Sequence, residues 1–391
     1  MIPTIIFVCF MAVAVIGFWV AVAIKAKRRS GTPTTEATTF SVRDKNDEKL
    51  LKAAEAGDAE AQFNLAQTFE FKESGKYVYW LEKAAEQGYD EAIRALADDY
   101  DHGNDVAEPP IKANRKKAVE YFTRLADKGD IEAMKRISLI YFVAFDDENK
   151  AREWTEKAAN AGDIESMIEL GDDYRLLPEI DDFKKSEYWY KKAADLGSGA
   201  AMKGLGDLYC YDENNPDYYK AESWYKKAVA AEYYFAYVRL GDMCKEGKGF
   251  LKDDRAAFDY YNKAADKGEI FGKIKMAEAY LKGEGTAQNK QKAIEILQAA
   301  AEKSNIAKYN LGRCYFDGDG VEQDYKRAVQ LFTDSYKLEK DAAFRLGECY
   351  HNGYGVKADN EKAKEFWREA ARRGHEEAAE SLKKYFGETA E

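Results

Sequence analysis

The side chains best suited to chemistry are scattered along the 391 residues rather than gathered at one place. The three histidines, His102, His351 and His375, have no partner at metal-ligand spacing and read as surface residues. Gly197-Ser-Gly199-Ala-Ala-Met-Lys203-Gly204 carries glycines like those of a phosphate loop. It follows a predicted helix instead of a strand, however, and lacks the closing Gly-Lys-Ser/Thr. Asp317-Gly-Asp319-Gly320-Val-Glu322-Gln-Asp324 offers oxygen donors, but its glycine spacing and missing terminal glutamate do not make a calcium loop. Ser, Cys and His do not converge at any reproducible offset, as a nucleophile and its base would. The expectation is a protein that is not an enzyme, with no catalytic residue, cofactor or metal. Cys210, Cys244, Cys314 and Cys349 fall at repeat-like spacings inside predicted helices, which suits small buried side chains better than a disulfide framework.

One ionisable row does recur. It runs Gln67, Asp98, Leu139, Asp172, Asp207, Asp242, Glu278, Arg313, Glu348, and six of its nine members are acidic. Asp98, Asp172, Asp207, Asp242, Glu278 and Glu348 would form a ladder of one carboxylate per repeat, suited to a basic or extended peptide. The same acids would also be unremarkable on solvated helix surfaces. Phe63, Tyr309 and Phe344, two positions before the Leu of their repeats, could add aromatic anchors or pack in the core.

The elements that carry this row repeat themselves. A small-residue pair closes each period, as in Ala53-Ala54, Ala84-Ala85, Ala158-Ala159, Ala193-Ala194, Ala264-Ala265 and Ala370-Ala371, and a glycine usually follows three residues on. Half a period away come Leu96-Ala97, Leu170-Gly171, Leu205-Gly206, Leu240-Gly241, Leu311-Gly312 and Leu346-Gly347, mostly with Tyr four positions after the Leu. Leu and Tyr at i and i+4 share one helix face, and the small neighbour allows a second helix to approach. The second helix places Trp80, Tyr121, Trp154, Trp189, Trp224, Tyr260 or Phe366 four residues before its pair, so these aromatics are expected to be the knobs that alternate with the gaps. Gly283-Glu-Gly285, Gly318-Asp-Gly320 and Gly353-Tyr-Gly355 supply the reversals between helices.

Leu346-Gly347-Glu-Cys-Tyr350-His-Asn-Gly353-Tyr-Gly355-Val356, continuing to Asp359, Lys362-Ala363 and Ala370-Ala371, resembles the Sel-one-like repeat, a relative of the tetratricopeptide repeat. The resemblance covers nine repeats from about Ala59 to Gly374, with irregular turns at Glu108-Pro109-Pro110, Ala144-Phe-Asp-Asp147 and Asp212-Glu-Asn-Asn-Pro216. It implies an all-α, right-handed α-solenoid of about nine helix-turn-helix repeats whose acidic row faces a concave groove. Residues from Asp44 to Ala56 and from His375 to Phe386 read as half-repeats capping the two ends. Some bacterial relatives carry a Cys pair in every repeat and were linked to penicillin binding; this chain lacks that pairing.

The N-terminus differs from the rest. Ile2 to Ile24 is 23 residues without a charge, about 34 Å of helix, enough to cross a bilayer core of roughly 30 Å. Lys25, Lys27, Arg28 and Arg29 follow, and by the positive-inside rule they keep the body cytoplasmic. The expected organisation is an anchor with a basic flank (1–29), a Thr-rich flexible linker (30–43), the solenoid (44–386) and a short tail (387–391). A net charge of −11 disfavours nucleic acid as a partner. The expected function is a single-pass scaffold or adaptor, in a bacterial inner membrane, that binds protein or peptide partners. An envelope-facing binder such as a toxin-neutralising immunity protein is an alternative, as is a hydrolase acting on envelope substrates.

Overall fold

A computed structural model describes residues 45–70, 73–176, 182–212 and 215–388. Among them the regular elements are twenty α-helices, in two compact units. The first runs to Tyr174 and holds α1 (Lys45–Glu55), α2 (Ala59–Phe69), α3 (Ser74–Glu86), α4 (Asp90–His102), α5 (Arg115–Ala126), α6 (Ile131–Ala144), α7 (Glu148–Asn160) and most of α8 (Ile164–Leu176). The second begins at Arg175 and holds α9 (Phe183–Asp195), α10 (Gly199–Cys210), α11 (Tyr218–Ala230), α12 (Phe235–Glu246), α13 (Asp254–Asp266), α14 (Ile270–Lys282), α15 (Lys290–Ala301), α16 (Asn305–Asp317), α17 (Tyr325–Ser335), α18 (Lys340–Asn352), α19 (Asn360–Arg372) and α20 (Glu376–Phe386). Each unit is a stack of helical hairpins, an all-α solenoid in which helices pack chiefly on their neighbours in sequence. The expected anchor, its basic flank and the linker lie outside the described residues. Among the described residues no helix is long and apolar enough to cross a membrane.

In every hairpin a first helix, A (α2, α4 and so on to α18), is followed by a second, B (α3, α5 and so on to α19). Helix B starts where an Asp or Asn side chain can accept from a free amide of the first turn. Asn114, Asp147, Asp182, Asp217, Asp253, Asn289, Asp324 and Asp359 all do so. Each such cap stabilises its helix by about 1 kcal/mol. The cap residue also closes the loop behind it, since its own amide donates to the carbonyl of an aromatic near the end of helix A. Asn289 to Tyr280, Asp324 to Tyr315 and Asp359 to Tyr350 are 2.9, 2.9 and 2.8 Å. Helix B ends in a tight reversal in which, for example, the His375 amide donates to Ala370 at 3.0 Å. At one of the three positions that lack the closing glycine, Glu232 itself adopts φ +62°, whereas Ser304 and Glu339 remain extended.

The packing inside a hairpin is a knob in a slot. The slot is the small residue after the repeat's Leu, and a β-carbon added to Gly241 or Gly312 would lie 2.5 Å from the Tyr261 ring or 2.7 Å from the Phe332 ring. Tyr225 over Gly206 and Trp367 over Gly347 are equally close. These knobs stand three residues before the alanine pair, not four as the sequence suggested. Phe122, Tyr225, Phe332 and Trp367 are all less than 2% exposed. The reason is register: Tyr225 shares its face with Ala221 and Ala228, at i−4 and i+3, whereas Trp224 sits one residue further round the helix. The aromatics four before the pair are mostly half-buried, with a basic side chain over the ring, as in Lys157 at 3.4 Å from Trp154 and Lys227 at 3.8 Å from Trp224. Alanine slots at Ala66 and Ala277 go with the smaller knob residues Leu81 and Leu297, while Ala97 with Phe122 departs from this rule. In the Ser138 repeat, the Ser138 and Thr155 hydroxyls hydrogen-bond to each other at 2.8 Å inside the slot.

At the four Gly-x-Gly turns of the second unit, the contact between repeats is a glycine. The first glycine of each Gly-x-Gly turn ends helix A in the left-handed region. The second presses on the start of the preceding helix B: a β-carbon on Gly249 would fall 2.6 Å from the Tyr218 β-carbon, and one on Gly355 would overlap the Tyr325 backbone. This pair of roles was read from sequence as turn flexibility alone. Gly353→Ala should therefore cost only the left-handed strain of about 1–2 kcal/mol, since its new methyl meets Ala358 at an ordinary 3.5 Å. Gly355→Ala should cost clearly more, measured by urea unfolding. Equal costs would remove the second glycine from the stacking contact.

Candidate functional site

The six acids of the row occupy unequal environments. In the first unit Asp98 is exposed on α4, near the buried Asp101, which pairs with Arg136 at 2.5 Å and Arg115 at 3.7 Å. Asp172 is half-buried on α8. Beside it, burial pushes Asp173 up to about 6, although Arg152 at 4.0 Å opposes the shift. Glu169, one turn earlier on α8, is raised to about 8 by burial and then by the charges of Asp173 and Glu165. In the second unit Asp207, Asp242, Glu278 and Glu348 sit on the successive A helices α10, α12, α14 and α18, with Arg313 at the row's position on α16.

Asp207 is only 2% exposed and its carboxylate is surrounded. Tyr225 Oη donates to it at 2.8 Å, Lys203 Nζ lies at 2.7 Å, and Arg239 reaches it at 3.1 Å from the next repeat. Burial pushes its pKa up, but Lys203 and Arg239 outweigh that and hold the carboxyl below its ordinary range. Asp242 accepts from Tyr261 Oη at 2.9 Å, with Arg239 at 3.7 Å. A knob tyrosine carries its hydroxyl into the packed interior, where an unpartnered O–H is costly, and these aspartates satisfy it. Burial first, and the carboxylate second, push both phenols up. Glu278 and Glu348 are half-buried and meet bases of their own helices, Lys275 at 3.9 Å and Arg345 at 2.7 Å.

The acidic ladder is thus interleaved with a basic one, Arg239, Lys275 and Arg345, set one residue before the repeat's Leu or Met. The sequence reading missed this second row, although its spacing was available. It also missed that the tyrosine knobs Tyr225 and Tyr261 belong to repeats with Asp in the acidic row. The aromatic candidates are packing residues in part: Phe63 lies against Tyr89 at 5.4 Å, Tyr309 against Phe332 at 6.0 Å, and Phe344 stacks on His375 at 4.3 Å. His375 corrects the expectation of surface histidines. It is 8% exposed, and its Nδ1 accepts from the Ala378 amide at 3.3 Å to cap α20. The four cysteines beyond the N-terminal segment are buried and free, as their spacing suggested.

Asp207→Asn should destabilise the chain by roughly 3 kcal/mol because it strands buried positive charge. Tyr225→Phe, which leaves both ion pairs intact, should cost about 1 kcal/mol. Since the folded pKa of Asp207 is depressed, its contribution is present above the unfolded carboxylate value and fades as pH falls through the lower folded value. The gap between wild type and Asp207→Asn should therefore persist at neutral pH and close only below pH about 4. Equal losses for the two variants would contradict the ion-pair reading.

The geometry agrees with that of known repeat proteins. The Sel1 repeat matches nine stretches, at residues 78–89, 90–130, 144–163, 164–198, 199–233, 235–269, 272–305, 306–338 and 340–375. No curated protein matches the chain. Among solved structures, a Sel1 repeat protein from Oxalobacter formigenes is 23% identical over 90% of this chain and 98% of its own, with a TM-score of 0.51. A protective antigen of uropathogenic Escherichia coli strains with an SLR fold is 27% identical over 88% of this chain and 84% of its own, at a TM-score of 0.44. The cysteine rich protein B of Helicobacter pylori is 31% identical over 35% of this chain and all (100%) of its own, at a TM-score of 0.28. With the repeat recurring over well more than half of its length, the chain belongs to the Sel1 repeat family.

Proposed function

We propose that this protein is a membrane-anchored adaptor that captures protein or peptide partners along the charged row of its A helices. Sel1 and tetratricopeptide-like repeat proteins generally mediate protein–protein interaction. The observation that carries the reading is the regular supply of incompletely buried charge in the second unit. Asp242, Glu278 and Glu348 recur on A helices, with Arg239, Lys275 and Arg345 one register earlier. A rigid stack presenting such groups at fixed intervals is preorganised for an extended segment, so little ordering cost falls on the scaffold.

The interleaved bases narrow the expected partner. A uniformly basic peptide would meet Arg239, Lys275 and Arg345 as well as the acids, so alternating charge fits the row better than a single sign. The uncharged run from Ile2 to Ile24 and the basic cluster after it would hold the repeats at the cytoplasmic face of a bilayer. Confinement to that plane raises the effective concentration of partner and scaffold.

Glu278 and Glu348 test the row because neither accepts a tyrosine hydroxyl among the contacts described. The full chain kept in its membrane, carrying Glu278→Lys and Glu348→Lys together, should recover its crosslinked partner about tenfold less well, one such increment being about 1.4 kcal/mol. Unchanged recovery, with helicity intact by circular dichroism, would move the partner site off this row.

A further inference from the structure

A repeat protein carries its own comparison set, because each position can be read against its equivalents in the other repeats. In the second unit four exposed apolar residues break the pattern around one loop. Tyr211, 42% exposed, stands where later repeats have Glu246, Lys282, Asp317 and Asn352. Tyr219, 77% exposed, stands where they have Arg255, Gln291, Lys326 and Glu361. Leu251, 91% exposed, replaces Ala287, Glu322 and Lys357, and its neighbour Phe250 is also exposed where Val321 and Val356 are half-buried. The equivalents of Lys252 include Gln288 and Gln323, whose side-chain amides tie their loops back to Leu281 and Phe316 at 2.7 and 2.8 Å. Lys252 points outward instead.

The loop touches both neighbouring segments. Gly249 presses the loop against Tyr218, next to Tyr219, and Lys248 Nζ lies 3.9 Å from the centre of the Tyr211 ring. Lys248 and Lys252 belong to the loop and Lys220 follows Tyr219, and the three are paired with Glu246, Asp254 and Asp217 at 2.8, 3.3 and 3.1 Å. The patch is therefore charge-balanced, with a Phe-Leu apex held by a stiff turn. Four side chains on one rim fall well short of the roughly 1,000 Å² that a specific protein interface needs. A bilayer surface demands no shape complementarity. Its interfacial zone favours tyrosine at headgroup depth, lysine reaching outward, and Phe or Leu just below.

We propose that the loop Gly247–Asp253, with Tyr211 and Tyr219 beside it, is a membrane-docking tip that inserts Phe250 and Leu251 into the lipid headgroup boundary. This rests on the anchored reading above, under which the chain is held at a bilayer. Docking there gives the scaffold a second point of attachment and so fixes which way its charged row faces.

The test uses the full chain reconstituted into vesicles of phosphatidylcholine and phosphatidylglycerol, with photoreactive benzoylphenylalanine replacing Leu251. A second variant carries it in place of Glu322, the matching loop position two repeats later. The chain should float with the vesicles, and lipid adducts should form at position 251 but not at 322. Flotation without lipid adducts at 251, or adducts there only to protein, overturns the docking tip while leaving the anchor standing. A chain that stays with the soluble fraction removes the anchor and the tip together.

Discussion

The contact on which the rest depends is the approach of a large side chain on helix B to a glycine, alanine or serine on helix A. Tyr225 on Gly206, Tyr261 on Gly241, Phe332 on Gly312 and Trp367 on Gly347 leave no room for another methyl group. Such hairpins cannot hide their remaining apolar faces alone, so they stack, and the stacking contact is again a glycine, as Gly355 shows against Tyr325. In the last four repeats small residues placed twice per repeat therefore set both the spacing within a hairpin and the spacing between hairpins.

That geometry determines what the polar residues can do. When the knob is tyrosine its hydroxyl needs an acceptor in a tight interior, and Asp207 and Asp242 provide it. Buried carboxylates in turn need cations, which explains why Lys203 and Arg239 converge on Asp207. The row that looked like a uniform recognition ladder divides into members that hold the fold together and members, such as Glu278 and Glu348, left partly open at the surface. In this chain the same position is enclosed in one repeat, at Asp207, and partly open in others, at Glu278 and Glu348.

The helices, the end caps and the repeat period were legible in the sequence because they follow from local patterns, namely the alanine pairs and the Leu-to-Tyr spacing. The exact knob was not, because Trp224 and Tyr225 are both large and adjacent, and only the tertiary contact reveals which one enters the slot. The burial of Asp207 was hidden for a similar reason, since one of its cations, Arg239, comes from the following repeat. His375 read as an isolated surface residue because the Phe344 ring that covers it comes from α18, distant in sequence. The second, basic row of Arg239, Lys275 and Arg345 is as regular in the sequence as the acidic one.

A double-mutant cycle addresses the slot most directly. Gly312→Ala should destabilise the chain by overpacking against Phe332, and Phe332→Leu should destabilise it by leaving a void. If size matching governs the contact, the combined variant should be more stable than the sum of the two losses by at least about 1 kcal/mol in urea unfolding. Losses that add to within about 0.5 kcal/mol would contradict the account.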